Sequence, residues 1–131
     1  MTPTRSLLLS ICTGLGLGIA SQVVRAHHSE VAEFDLNMPV KVTGKIASVK
    51  WENPHVWFFV DVSDKDGKVT TWGFSSLPPG ALMRQGVTKE RLQPGTVVSV
   101  EGMRARDGSN NASARRVTAV DGKNVLAPPE S

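Results

Sequence analysis

Three histidines are the residues whose type and spacing lend themselves to chemistry, because imidazole titrates near neutral pH and also ligates transition metals. His27 and His28 are adjacent, and His55 closes the segment Trp51-Glu52-Asn53-Pro54-His55, with Trp57 two residues beyond it. Their meaning depends on what precedes them. Arg5 is a positive n-region, Leu7 to Ala20 an apolar h-region and Val24-Arg25-Ala26 a small-residue processing site, the three-part order of a secretory signal peptide. Cleavage after Ala26 makes His27 the mature N-terminus.

A histidine at a free N-terminus offers its α-amine and imidazole Nδ1 as a chelating pair. A second imidazole, such as His55, completes three nitrogens in the tetragonal arrangement that Cu(II) favours. The amine, with an ordinary pKa of about 7.7 to 8.0, yields its proton readily to a competing cation. The expected metal ligands are therefore His27, His28 and His55, with copper the favoured ion and His28 a substitute or additional ligand. Glu30, Glu33 and Asp35 are close enough in sequence to serve as hydrogen-bonding partners of such ligands. The competing reading is bland: a solvated terminus, and a His55 that satisfies a loop carbonyl.

A second constellation suggests a metal-free interaction module. Trp51, Asn53 and Trp57 make a ligand shelf around the turn that Pro54 enforces, and Arg104 and Arg106, with Arg115 and Arg116 nearby, make a rim able to meet an envelope partner or a small anionic ligand. Packed tryptophans and solvated arginines that blunt strand edges are the structural alternative for the same residues. No acid/base pair or activated nucleophile stands at diagnostic spacing, so the expectation is a binding protein rather than an enzyme.

Composition narrows the setting. Loss of the first 26 of 131 residues leaves 105, enough for one domain and too few for two separate cores. It also removes Arg5 and Arg25 but no acid, so the net charge falls from +3 to +1 and no longer suggests a nucleic-acid partner. The single cysteine, Cys12, leaves with the leader, which suits an oxidising periplasm or the exterior and excludes thiolate chemistry. Ile11 before Cys12 does not fit a lipidation site, and the apolar run, broken by Gly14, Gly16 and Gly18, falls short of the roughly 20 residues that span a bilayer. No stable membrane anchor is expected after processing.

The elements that must position these residues are mostly strands. Residues 27–38 form an N-terminal arm, whose segment from Ser29 to Asn37 suits either a short helix or an extended strand, and residues 39–126 the domain proper, with 127–131 a frayed tail. Val40, Val42 and Ile46 alternate along strand one, with Gly44 marking a bend or bulge. Val56, Phe58, Val60 and Val62 form one face of strand two, leaving Trp57 and Phe59 outward unless the arm covers them. Ser63 to Gly67 is a hairpin turn into strand three, Lys68 to Phe74. Prolines 78 and 79 start a short helix that Gly86 ends. Strand four covers Thr96 to Arg104, strand five Ala114 to Val120, and Lys123 to Leu126 a possible sixth. The fold class is mainly β: a small five- to six-stranded OB-like barrel with one short helix between strands three and four, an open meander being the alternative.

The chain also resembles a family of small exported bacterial proteins that constitutes a domain of unknown function. The resemblance rests on His27-His28-Ser29, on Trp51-Glu52-Asn53-Pro54-His55, on Pro94-Gly95 and on Glu101-Gly102-Met103-Arg104-Ala105-Arg106-Asp107-Gly108. It covers essentially the whole mature part. It implies export, a single domain and the same three histidine positions, and it supplies no activity.

Overall fold

The computed structural model describes residues 30–127. The expected leader (1–26), His27, His28 and residues 128–131 of the tail lie outside the described residues. Within them, five strands run in the order β1 (Phe34–Lys50), β2 (Trp57–Ser63), β3 (Val69–Ser75), β4 (Val97–Ala105) and β5 (Asn111–Ala119). A six-residue helix α1 (Pro79–Arg84) and a 3-10 turn (Lys89–Arg91) lie between β3 and β4. The strands close into a barrel in the spatial order β1-β2-β3-β5-β4. All pairings are antiparallel except β3 with β5, which is parallel. This is the expected five-stranded OB-type architecture, and closure replaces the open meander. The sixth strand reduces to one bridge, Thr118 to Asn124.

β1 is longer than alternation alone predicts and serves two neighbours. Its first part pairs with β4 up to Lys45 opposite Val97, and its second part pairs with β2 from Lys45 opposite Asp61. Gly44 sits at this corner because a Cβ there would collide with the Asp61 carbonyl. The bulge lies just beyond, between Ile46 and Ser48. One extra residue, Ala47, reverses the alternation, so Ile46 is buried while Val49 and Trp51, at odd positions, also pack inward. The arm does not end at Met38. Residues 30–33 are helical and the strand begins at Phe34, which is buried opposite Ala105. Four residues, 35–38, then stand against Arg104 alone before Pro39 meets Met103, and they form an exposed bulge.

Inward faces of β1, β2, β4 and β5 meet in one cluster containing Ile46, Phe58, Val60, Val98, Val100 and Val117, with Val40 and Val42 partly buried against it. Phe74 from β3 stacks on Phe58 at 5.4 Å between centroids. A smaller cluster, Val56, Leu82 and Val87, packs the helix against the end of the barrel, and Trp51 touches both clusters. The expected single core is thus a main core with an apolar plug. The β2–β3 turn forms as its sequence suggests: Asp64 Oδ1 accepts from the N–H groups of Asp66 (2.8 Å) and Lys68 (2.9 Å), and Gly67 has φ +80°. No helix among the described residues is long and apolar enough to cross a membrane.

Candidate functional site

The outer face of the parallel β3–β5 pair carries two small polar residues side by side, Ser75 opposite Ser113, both buried. The helical turn at 30–33 lies against them. Ser113 Oγ donates to Glu30 Oε1 at 2.7 Å, and Arg115 Nη2 stands 3.2 Å from the same oxygen. A second attachment comes from the β4–β5 connection. The Arg106 backbone N–H donates to the Glu33 carbonyl (2.9 Å), its Nε donates to the Val31 carbonyl (2.9 Å), and its Nη1 is 3.8 Å from Asp35 Oδ2. The arm is therefore bound to the barrel along residues 30–35 by backbone and side-chain contacts together.

His55 reaches the same place from the β1–β2 loop. The Val56 N–H donates to the Leu77 carbonyl (3.0 Å) and the Ser76 N–H to the Val56 carbonyl (2.8 Å), which fixes the end of that loop on the start of the helical connection. The Asn53–Pro54 peptide in this loop is cis. His55, Glu30, Glu33, Ser75, Ser113 and Arg115 all line one pocket of about 100 Å³. It gathers an imidazole, two carboxylates, a guanidinium and three serines, a mixed set of donors and acceptors able to orient a ring by hydrogen bonds. Among the described residues, however, no group of three histidine, cysteine or carboxylate side chains is disposed to hold a metal ion. His55 with Glu30 and Glu33 alone does not make such a site.

The other singled-out residues separate. Trp51, partly buried, packs against both apolar clusters, while Asn53 is exposed in the loop. Trp57 points outward on β2 as expected, beside Phe59. Arg104 Nε donates to the Ser109 carbonyl (3.1 Å) and its Nη2 to the Gly108 carbonyl (2.7 Å), with the guanidinium 5.4 Å from the Trp72 ring centroid. Arg104 thus braces the β4–β5 turn and Arg106 ties down the arm; neither joins Trp51 or Trp57 in a common site. In the same turn, the Ser109 hydroxyl, then its N–H, and the Arg104 charge hold the Asp107 carboxyl below the usual aspartate range. Ser75 and Ser113 were not among the expected site residues. Their signal in the sequence is a small polar residue at an outward strand position, which alternation locates without revealing what lies above it.

Residues 16–114 match the family of unknown function DUF6152. No curated protein matches the chain in sequence. Among solved structures, the mitochondrial single-stranded DNA binding protein Rim1 from S. cerevisiae is similar in one crystal form at TM-score 0.49 and 14% identity, covering 70% of this chain and 97% of that one. The N-terminal domain of PriB from Thermoanaerobacter tencongensis is similar at TM-score 0.48 and 17% identity, covering 64% of this chain and 97% of that one. The sequence match spans most of the barrel, the His55 loop and the Arg104–Asp107 turn, and on it the chain belongs to the DUF6152 family.

Proposed function

We propose that this is an exported, periplasmic copper-binding protein whose metal is held by the α-amine and imidazole of His27, freed by signal cleavage, and by the imidazole of His55, with His28 as a further ligand. One observation carries the reading: Glu30 and Glu33, on the arm, line the pocket that contains His55. His27 precedes Glu30 by three residues, and covalent geometry limits their Cα atoms to about 11 Å apart. A chain beginning at His27 would start no farther than that from the pocket residue Glu30, and His55, the only histidine among the described residues, lines the same pocket. An amine with two imidazoles matches the nitrogen preference of Cu(II). When bound, copper supplies a ligand-exchange centre for storage, delivery or sensing. The chain's own part would be to orient the rings, a role for which Glu33 and the Glu30 oxygen not engaged by Ser113 and Arg115 are the candidate acceptors in the His55 pocket.

The test is to export the protein on its native leader, establish the mature N-terminus by mass spectrometry, and titrate Cu(II) against three forms. Wild type is expected to bind one ion tightly, His55→Ala more weakly, and a form with one residue inserted before His27 not at all at comparable concentration. Unchanged binding by the extended form would refute the proposal, as would a mature chain that starts elsewhere.

A further inference from the structure

A separate groove shares Arg115 with the His55 pocket, and nothing in the metal reading uses it. Along the β4–β5 ladder Glu101 faces Arg116 and Gly102 faces Ala114, so Arg115 is the extra residue of a β-bulge. The strands approach closely there, because a Cβ at Gly102 would strike the Ser113 carbonyl. Such bulges re-aim a side chain. Arg115 lines both the His55 pocket and a groove of about 460 Å³. That groove runs over three consecutive rungs of the β1–β4 ladder: Pro39 with Met103, Val40 with Gly102 and Lys41 with Glu101.

The first two rungs are apolar, with Pro39, Val40 and Met103 supplying side chains and Gly102 bare backbone. The third carries an exposed ion pair, Lys41 Nζ to Glu101 Oε1 at 3.0 Å. Of the three charges that line the groove, these two cancel, and the positive charge of Arg115 remains. Arg116, opposite Glu101 in register, adds to that sign. Arg115 is half exposed, and its ion pair with Glu30 engages one nitrogen, Nη2, of a guanidinium that carries five N–H donors. Glu30 and Glu33 line the His55 pocket and not the groove, so Glu30 is the rival that an anion entering the groove meets at Arg115. A polyanion requires a row of cations, which these rungs do not offer. A neutral ligand leaves the guanidinium unanswered. An aliphatic body with one carboxylate fits both parts, because the body covers the apolar rungs and the flat head matches the planar fork of an arginine.

We propose that this groove binds an aliphatic monocarboxylate, its chain lying on Pro39, Gly102 and Met103 and its head on Arg115 in competition with Glu30. The proposal does not depend on copper, which a chelator keeps out of the test. Octanoate is titrated into the isotopically labelled mature protein and followed by NMR. Three comparison ligands run beside it: acetate has the head alone, octan-1-ol the chain alone, and octyl sulfate the same chain and charge on a tetrahedral head. The expected result is saturable shifts at Val40, Gly102 and the Met103 methyl with octanoate, and binding weaker by about tenfold or more for acetate and octan-1-ol. Arg115→Gln is expected to weaken octanoate binding about tenfold, and Glu30→Gln, which removes the rival charge, to strengthen it about threefold. Absence of shifts on these rungs, octan-1-ol or octyl sulfate binding more tightly than octanoate, affinity that survives Arg115→Gln in a protein with an otherwise native spectrum, or affinity that fails to rise in Glu30→Gln would each overturn it.

Discussion

A single carboxylate oxygen, Glu30 Oε1, receives both the Ser113 hydroxyl and the Arg115 guanidinium. The ion pair is nearly half exposed on the arginine side, so its Coulomb energy is small, about 0.2 to 1 kcal/mol by analogy with exposed pairs. Its importance is positional, since this oxygen fixes the segment that begins at the proposed chelating terminus. Glu30→Gln and Ser113→Ala are therefore expected to change thermal stability little while weakening Cu(II) binding about tenfold, measured by competition with a chelator of known affinity. Equal losses in stability and affinity would assign the contact to folding alone. Asp107 offers a test with a different variable. Its folded pKa is depressed by Ser109 and Arg104, so its contribution is complete above the ordinary carboxylate pKa of about 3.9 and fades as pH falls through the folded value. The stability difference between wild type and Asp107→Asn is expected to be present at pH 7 and to shrink below about pH 4, as followed by urea unfolding across that range.

At the scale of elements, Gly44 makes β1 a shared strand by letting it turn from β4 toward β2 against the Asp61 carbonyl. Gly44→Ala forces this corner open. The expected cost is about 1 to 3 kcal/mol, read as a Tm lowered by roughly 4 to 8 °C for each kcal/mol. Much of the barrel was legible before any coordinates, because one buried face per strand imposes alternation: Phe58, Val60, Val98 and Val100 all face the core as read. The helix was legible from its prolines and Gly86. The bulge at Ala47 was not, since a single inserted residue leaves no mark in composition and is revealed only by Val49 and Trp51 turning inward on the opposite parity. For the same reason the inward packing of Trp51, read as part of a ligand shelf, was not legible. The roles of Arg104 and Arg106 were hidden because their partners are backbone carbonyls, which carry no signature in side-chain type.

Over the whole molecule, the arrangement brings remote stretches of chain to one patch. His55 arrives from the β1–β2 loop, Ser75 from β3, Ser113 and Arg115 from β5, and Glu30 from the arm, and they surround one small pocket. That convergence was only partly readable: His55 and the acids of the arm announced themselves, but meeting the serines required knowing that β3 and β5 run alongside each other. This parallel pair consists of just three residue pairs, from Gly73 with Asn111 to Ser75 with Ser113. Such a seam closes a long excursion through α1 and β4 for a short row of hydrogen bonds. Glu30 reaches it from 83 positions away to accept from Ser113, so the arm that opens the domain works as a clasp on the shortest joint of the barrel. An ion held by that same segment would draw on the clasp for its position rather than for the strength of the cylinder itself.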